Sequence, residues 1–246
     1  MKNLIIANWK MNPVNQEEAR KIFGEIKKGI EATSAEGSGE PTEVVICPPF
    51  AWLAVVSQKR NEGGLILGAQ NCFWEEKGAF TGEISPAMLK DLGVEYAIIG
   101  HSERRKYFDE TNEIINKKIK KALDAGLKII FCIGETAEER DGGKKNEVLQ
   151  KQIQEGLKDV IDVENISVAY EPVWAIGTGN NCSVDETKES IDFIRKFVLE
   201  NTRILYGGSV KSENSGAYIK EAGSNGLLVG GASLNAEEFV KIVKSA

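Results

Sequence analysis

A chain of 246 residues with 41% hydrophobic and 28% charged residues has the composition of an ordinary globular protein. Its formal net charge is −6, from 31 Lys and Arg against 37 Asp and Glu, which argues against a general binder of nucleic acids or membrane surfaces, because such proteins carry a basic excess. The four cysteines form no CxxC pair and there is one histidine, so we expect reduced thiols and no metal site.

The start of the chain and its overall hydrophobicity bear on location. Residues 1–8 hold too short an apolar run for a signal peptide, and no stretch approaches the roughly 20 apolar residues of a membrane span. We therefore predict a cytoplasmic protein that binds neither membranes nor nucleic acids. Nothing in the sequence resembles a domain linker, and we predict one domain over residues 1–246.

Eight short β-rich segments recur along the chain. They are nearly continuous apolar runs, a pattern typical of parallel strands that are buried on both faces of a sheet. The predicted strands are Leu4–Asn8, Glu43–Cys47, Leu65–Gln70, Tyr96–Gly100, Lys128–Ile133, Ser167–Glu171, Arg203–Tyr206 and Gly226–Val229.

Helical patterns lie between these strands. Ser85 and Pro86 form a typical helix start, with an N-cap followed by proline at the first helical position. Gly126 is placed to end a helix. Thr33–Gly39 is predicted to be a surface loop. The other predicted helices are Glu17–Ala32, Asn112–Ala125, Asn146–Val160, Glu186–Leu199 and Asn235–Lys244.

The alternation of strand and helix is the signature of a parallel α/β sheet. Eight such units in about 250 residues match the size of a closed (β/α)₈ TIM barrel. We therefore predict a single (β/α)₈ barrel, with an open, doubly wound sheet as the alternative.

Polar residues at the ends of the predicted strands indicate where a site would lie. In a (β/α)₈ barrel the active site is at the carboxyl ends of the strands. Asn8 and Lys10 end the first strand, His101 the fourth and Glu171 the sixth. Without a shared function, such residues would be scattered over both ends of the barrel.

His101 precedes Ser102-Glu103-Arg104-Arg105, where a helix is expected to begin. The start of a helix disfavours the charged imidazolium, and a neutral ring can donate a hydrogen bond to a carbonyl and transfer a proton. A lone histidine is also often only structural. His101 by itself leaves both interpretations open.

Glu171 ends the sixth strand, where a carboxylate is costly to bury unless it is solvated or used. It could also form an ordinary ion pair at a strand end. Pro172, the apolar segment Val173–Ile176 and the segment Gly177-Thr178-Gly179 then follow, a pattern that predicts a hinged lid over a ligand. A Trp174 side chain packed permanently on the barrel rim is the alternative.

Two glycine pairs, Gly207-Gly208 and Gly230-Gly231, follow the seventh and eighth strands, where barrels commonly bind phosphate through backbone N–H groups. Either pair alone could be only a turn. Lys10 adds a positive charge after the first strand, although most lysines are simply solvated. A carboxylate, a neutral imidazole, an ammonium and phosphate-binding turns together predict proton abstraction next to a carbonyl of a small phosphorylated substrate.

These residues lie in segments that resemble the motifs of the triosephosphate isomerase family, and the resemblance covers essentially the whole chain. The segment Glu171 to Gly179 is highly specific. The other segments that carry the resemblance are Ala7–Asn12, Gly68–Asn71, Gly78–Glu83, Gly100–Arg105, Cys132–Thr136, Tyr206–Val210 and Leu228–Leu234.

The resemblance implies interconversion of dihydroxyacetone phosphate and D-glyceraldehyde 3-phosphate, a step of glycolysis and gluconeogenesis. Glu171 would take the carbon-bound proton, and His101 would polarise the carbonyl and move a proton between the two oxygens. Lys10 and Asn8 would stabilise the charge of the enediolate, and Glu103 would stand behind the site. No cofactor or metal is implied.

The resemblance also implies how phosphate and a second subunit are bound. Backbone N–H groups would hold the phosphate, and the family is usually homodimeric through the loop 72–83. Thr81 would approach the partner subunit's site, and Glu83 would pair with the partner subunit's Arg104. The phosphate-binding residues would be Lys10, Asn8, Gly177, Ser209, Gly230 and Gly231.

Some positions depart from the family pattern: Asn180-Asn181-Cys182 after the lid, Cys72-Phe73 in the loop, Asn225 before the eighth strand, and a short stretch Glu200–Arg203. None removes a catalytic group.

Two rival interpretations are a different phosphate-binding barrel, such as a lyase or aldolase, and a barrel kept only for binding. A Schiff-base aldolase needs a lysine at the end of strand 5 or 6, and none is present there.

Overall fold

The computed structural model describes residues 1–35, 42–57, 64–177 and 181–246. The described residues form eight strands, each within one residue of its predicted bounds at either end. They are β1 (Leu4–Asn8), β2 (Glu43–Cys47), β3 (Leu65–Ala69), β4 (Tyr96–Ile99), β5 (Lys128–Ile133), β6 (Ile166–Tyr170), β7 (Ile204–Tyr206) and β8 (Gly226–Val229).

The strands form a closed barrel in the order β1 to β8. Every pairing is parallel, and β1 pairs with both β2 and β8, with Ala7 opposite Ile46 on one side and Val229 on the other. The predicted (β/α)₈ barrel is confirmed and the open, doubly wound sheet is wrong. Since all strands run the same way, all their carboxyl ends lie at one rim.

Helices follow the strands around the outside of the barrel. They are α1 (Gln16–Ala35), α2 (Phe50–Ser57), α3 (Pro86–Asp91), α4 (Ser102–Tyr107), α5 (Asn112–Asp124), α6 (Ala137–Asp141), α7 (Lys145–Gly156), α8 (Val184–Ile194), α9 (Ser212–Lys220) and α10 (Ala236–Lys244). As predicted, Ser85 caps α3 with Pro86 at its first position, and Gly126, at φ 75°, follows α5.

Several helix bounds differ from prediction, and α7 ends at Gly156 instead of the predicted Val160. The expected loop at 33–39 is wrong over residues 33–35, because α1 continues to Ala35 and Thr33 Oγ1 donates to Gly29 O (2.9 Å) as a further helical turn does. Residues 36–39 lie outside the described chain. Helix α8 begins at Val184 because Ser183 and Glu186 form a reciprocal capping box, and it ends at Ile194 in a short 3₁₀ turn.

Alternate residues of the strands build two separate apolar layers. One set, including Ile6, Ile98 and Ile130, fills the inside of the barrel, and the other set packs against the surrounding helices. The barrel is therefore a solid core and not a channel. Polar side chains that follow the strands emerge above this core at a single rim.

The short stretch before β7 is held together by an arginine. Arg195 Nη1 donates to the carbonyls of Leu199, Glu200 and Thr202, and its Nη2 donates to Asn225 Oδ1 (3.2 Å). Asn225 also accepts the Ile204 N–H (3.0 Å). The amide at position 225 thus links this stretch to the start of β7.

Candidate active site

His101 is buried at the start of α4, directly after β4. Its Nδ1 accepts the backbone N–H of Glu103 (3.2 Å), so the imidazole acts as the N-cap of the helix. An Nδ1 that accepts a hydrogen bond carries no proton, which leaves the proton of a neutral ring on Nε2. The prediction that His101 lies at a helix start is confirmed.

The turn that delivers His101 depends on Gly100. Gly100 has a φ of 80°, a conformation that other residues avoid. A Cβ atom at this position would also lie 3.1 Å from the carbonyl oxygen of Cys132. Glycine therefore allows β4 to turn sharply into α4 while staying in close contact with β5.

Glu171 directly follows β6, and its side chain is almost completely buried. Oε2 accepts the backbone N–H of Ser102 (2.9 Å). Oε1 lies 3.1 Å from His101 Nε2, but the two atoms are not aligned for a hydrogen bond, and Oε1 has no partner among the described residues. A buried carboxylate oxygen without a partner is costly in a folded protein and marks a group with another use.

Two glycines fix the position of the Glu171 backbone and side chain. The Glu171 N–H donates to Ile133 O (2.7 Å), and the chain passes so close to Gly134 that a Cβ there would lie 1.7 Å from Glu171 O. A Cβ on Gly207 would lie 3.0 Å from Glu171 Cγ. The ends of β5 and β7 therefore enclose the glutamate from both sides.

Lys10 follows β1 in a left-handed backbone conformation, with a φ of 53°. Its N–H donates to Asn8 Oδ1 (3.0 Å), and its carbonyl accepts from Gln70 Nε2 (2.9 Å). Its ammonium lies 2.6 Å from Glu103 Oε1. These contacts hold the Lys10 backbone in a conformation that costs about 1–2 kcal/mol for a residue with a Cβ.

The turns after β7 and β8 lie next to these groups. A Cβ on Gly230 would lie 3.7 Å from Lys10 Nζ, which places the lysine beside the last turn. Ser209 Oγ donates to Ala175 O (2.6 Å). The backbone N–H groups of Ser209, Gly230 and Gly231 donate to no other group in the described part of the chain.

The predicted lid is described only in part, since Thr178, Gly179 and Asn180 lie outside the described residues. Val173–Ala175 form one 3₁₀ turn, and Gly177 has a φ of 69°. Ala175 is fully buried. After the lid in the sequence, the carbonyl of the buried Cys182 accepts a hydrogen bond from the Tyr218 hydroxyl (2.7 Å).

Glu135 is a further acidic residue of this rim, and it is not among the site residues predicted from the sequence. It is fully buried, and its Oε1 accepts from Trp174 Nε1 (2.8 Å) and Tyr170 Oη (3.2 Å). Burial raises the pKa of its carboxyl. The signal was available, because Glu135 is an acidic residue two positions after the apolar strand β5, much as Glu171 is one position after β6. Trp174, stacked on Arg140 at 3.9 Å, is thus anchored to the rim in this structure.

Two of the three predicted interface residues lie on the loop 72–83, and the third, Arg104, lies in α4, where its N–H donates to His101 O (2.8 Å). Thr81 and Glu83 are exposed. Arg104 donates through Nε to the buried Glu110, which also accepts from the buried Lys118. Cys72 is buried beside this cluster, and burial raises its pKa to about 12.

No helix among the described residues is long and apolar enough to cross a membrane. In the same residues, no group of three or more His, Cys, Asp or Glu side chains is arranged to hold a metal ion.

The strands form a closed parallel barrel, and a buried carboxylate, an imidazole and an ammonium lie at the carboxyl rim of these strands. These features define a (β/α)₈-barrel enzyme of the acid–base class. The sequence matches the triosephosphate isomerase family over residues 3–246. It is 49% identical to the triosephosphate isomerase of Dictyoglomus thermophilum, with 99% of each chain covered, and 45% identical to that of Chloroherpeton thalassium, with 100% of this chain and 99% of the other covered.

A solved structure agrees with these relatives. The fold matches the crystal structure of triosephosphate isomerase from Bartonella henselae with a TM-score of 0.86 and 36% identity, covering 100% of this chain and 99% of that one. The chain therefore belongs to the triosephosphate isomerase family.

Proposed function

We propose that Glu171, His101 and Lys10 carry out the reaction of this family, the interconversion of dihydroxyacetone phosphate and D-glyceraldehyde 3-phosphate. Glu171 removes a proton from the carbon next to the carbonyl, which gives an enediolate. The same carboxyl then returns a proton to the neighbouring carbon. The two steps move the carbonyl from one carbon of the substrate to the next without an external oxidant or reductant.

The observation that carries this proposal is the free Oε1 of Glu171. A general base must come within about 2.6–3.2 Å of the proton-bearing atom, and a carboxylate oxygen already bonded to the protein is less available. Glu171 Oε2 is held by Ser102, whereas Oε1 is buried, without a partner among the described residues, and next to the His101 ring. The carboxylate is thus fixed by one oxygen and available through the other.

His101 and Lys10 act on the oxygens of the substrate. With Nδ1 occupied by the Glu103 N–H, His101 presents Nε2–H to a substrate carbonyl and exchanges a proton between the two oxygens. The Lys10 ammonium stabilises negative charge on the enediolate. Asn8 supports this role, since its side chain fixes the Lys10 backbone, and Glu103 pairs with the ammonium.

The phosphate binds at the turns after β6, β7 and β8. The free N–H groups of Ser209, Gly230 and Gly231 support this assignment, as does Lys10 beside Gly230, and the Gly177 N–H joins them from the lid. The lid closes over the bound substrate and excludes water, because an enediolate phosphate exposed to water can eliminate its phosphate. Pro172 and Gly177 are its described hinge residues.

The experiment is isomerisation in D₂O with product analysis by proton NMR. Transfer through a carboxyl that exchanges with solvent places deuterium on the product carbon, and we expect label in the product made by the purified chain. The matched control is Glu171→Gln, which keeps the size of the side chain and should make product at least about 10²-fold more slowly. Rapid conversion by this variant would remove Glu171 from its role.

The proposal includes a homodimer in the cytoplasm. Met11 (90% exposed) and Val14 (85% exposed) follow Lys10, and Phe80 (43% exposed) lies on the loop 72–83 next to Thr81. We interpret these exposed apolar side chains, on the loops after β1 and β3, as part of an interface. In that dimer Thr81 approaches the partner subunit's site, and Glu83 pairs with the partner subunit's Arg104. The four free, buried cysteines suit a reducing compartment.

A further inference from the structure

Arg105 joins the ends of two strands just below the site. It lies on α4 and uses three nitrogens in three directions. Nε donates to Gly100 O (2.8 Å), Nη2 donates to Cys132 O (3.2 Å), and Nη1 donates to Asn112 Oδ1 (2.6 Å). The guanidinium therefore connects β4, β5 and the start of α5.

Two of these acceptors are directly linked to the reacting side chains. Gly100 immediately precedes His101. Cys132 precedes Ile133, whose carbonyl accepts the Glu171 N–H (2.7 Å). Arg105 thus connects the backbone that carries the imidazole to the strand that holds the carboxylate.

The three acceptors of Arg105, which is partly buried, are all neutral. No carboxylate in the described residues lies within ion-pair distance of its guanidinium, although an arginine removed from water is usually paired with one. The direction of its donors, which a guanidinium fixes in a rigid plane, is therefore more important here than its charge. Asn112 is itself oriented, since its Nδ2 donates to Glu155 Oε2 (2.8 Å).

We propose that Arg105 is a positioning residue of the isomerase: by tying the carbonyls of Gly100 and Cys132 together, it sets the separation of His101 Nε2 and Glu171 Oε1. This inference rests on the function proposed above. Displacement of a reacting group by about 1 Å can cost on the order of 10²-fold in rate. The hydrogen bonds of Arg105 must therefore keep these two backbone segments in accurate positions for the reaction to be fast.

The test compares Arg105→Lys with a matched control, Arg195→Lys. Arg195 also donates to main-chain carbonyls and to one asparagine, but it does so at the opposite end of the barrel. Both variants keep the charge and lose the planar fork. We expect both to lose stability, and only Arg105→Lys to lower kcat, by about 10²-fold with KM changed by less than about threefold.

A second readout follows His101 directly. It is the only histidine in the chain, so ¹⁵N-histidine labelling gives one pair of ring signals. In the unaltered chain and in Arg195→Lys we expect a protonated Nε2 and an unprotonated Nδ1. In Arg105→Lys the two signals should move toward each other, as the tautomers mix when the ring loses its fixed contacts.

Several results overturn the inference. Activity in Arg105→Lys within about threefold of the unaltered chain, or equal losses of kcat in the two variants, would show that Arg105 is only structural. If Arg105→Lys does not fold, Asn112→Ala keeps the arginine and frees its Nη1; a kcat about tenfold lower supports the inference, and an unchanged kcat overturns it. An inactive unaltered chain would instead overturn the proposed function, while the ring signals would still test the positioning.

Discussion

His101 Nε2 lies 3.1 Å from Glu171 Oε1, yet the two atoms are not aligned for a hydrogen bond. Each residue is held from its other side, the imidazole by the Glu103 N–H and the carboxylate by the Ser102 N–H. Both anchors are backbone groups in the first turn of α4. One helix start therefore fixes the two side chains that we propose as acid and base, and their facing atoms form no hydrogen bond with each other.

His101→Asn separates the capping role of the imidazole from its chemical role. The Asn Oδ1 can replace Nδ1 as acceptor of the Glu103 N–H, because asparagine is a good N-cap, but nothing replaces Nε2. We expect the free energy of unfolding to change by less than about 1 kcal/mol and kcat to fall by at least about 10²-fold. Urea denaturation and steady-state kinetics measure the two effects. Full activity in a stable variant would limit His101 to a structural role.

The left-handed backbone at Lys10 predicts that two inactive variants at this position differ in stability. Its φ of 53° suits glycine better than a residue with a Cβ. Lys10→Gly and Lys10→Ala should both lose activity, since both lack the ammonium, but the glycine variant should be more stable than the alanine variant by about 1 kcal/mol. Thermal and urea unfolding check the order. Equal stability of the two variants would show that the backbone at residue 10 is not strained.

Glu43, at the opposite rim, predicts a pH dependence of stability. Burial raises the pKa of Glu43, but hydrogen bonds from Arg203 and Tyr96 outweigh this, and the folded pKa is below the ordinary 4.5. A lowered folded pKa stabilises the protein above pH 4.5, and this stability is lost as the pH falls through the folded value. Glu43→Gln should therefore unfold about 1 kcal/mol more easily at pH 7, with a difference that shrinks in acid.

The control for this pH series is Glu95→Gln, which removes a more exposed carboxylate whose nearest cation, Lys128, is 3.9 Å away. It should change stability little at any pH. A Glu43→Gln difference that stayed constant between pH 7 and acid would show that the carboxylate charge does not contribute.

The proposed homodimer predicts an effect of one exposed aromatic residue. Light scattering should give twice the 26.9 kDa of one chain. Phe80→Ser should shift the molecule toward the monomer and lower the rate per chain on dilution, because Phe80 lies on the proposed interface loop. Ile161→Ser is the matched control: Ile161 is 96% exposed near the opposite rim, and its loss should leave the dimer intact. Identical masses for both variants would place the interface elsewhere.

The barrel and its rim could be predicted because both follow from local patterns. Apolar runs fix the strands, and parallel strands bring the residues after them, such as Glu171 and Lys10, to one end. The end of α1 could not be predicted, since the Ser and Thr of its last turn also suit a loop. The left-handed backbone at Lys10 is fixed by Asn8 and by the distant Gln70, and no local pattern shows this.

The contacts of Glu135 and Arg105 also could not be predicted from the sequence. Trp174 is 39 residues from Glu135, and Cys132 is 27 residues from Arg105. These pairs meet only because the barrel places successive strand ends side by side. The sequence indicates which residues are polar at the rim, but their partners depend on the closed topology.

The most direct test of the account is the turnover of glyceraldehyde 3-phosphate by the purified chain, compared with that of Glu171→Asp, in a coupled assay. The shorter side chain keeps the carboxylate and withdraws it by about one bond, roughly 1 Å, so we expect an active parent chain and a folded variant whose kcat is lower by on the order of 10²-fold. Equal turnover by the two proteins would contradict the assignment of Glu171 as the base. A folded parent chain without turnover would contradict the isomerase itself.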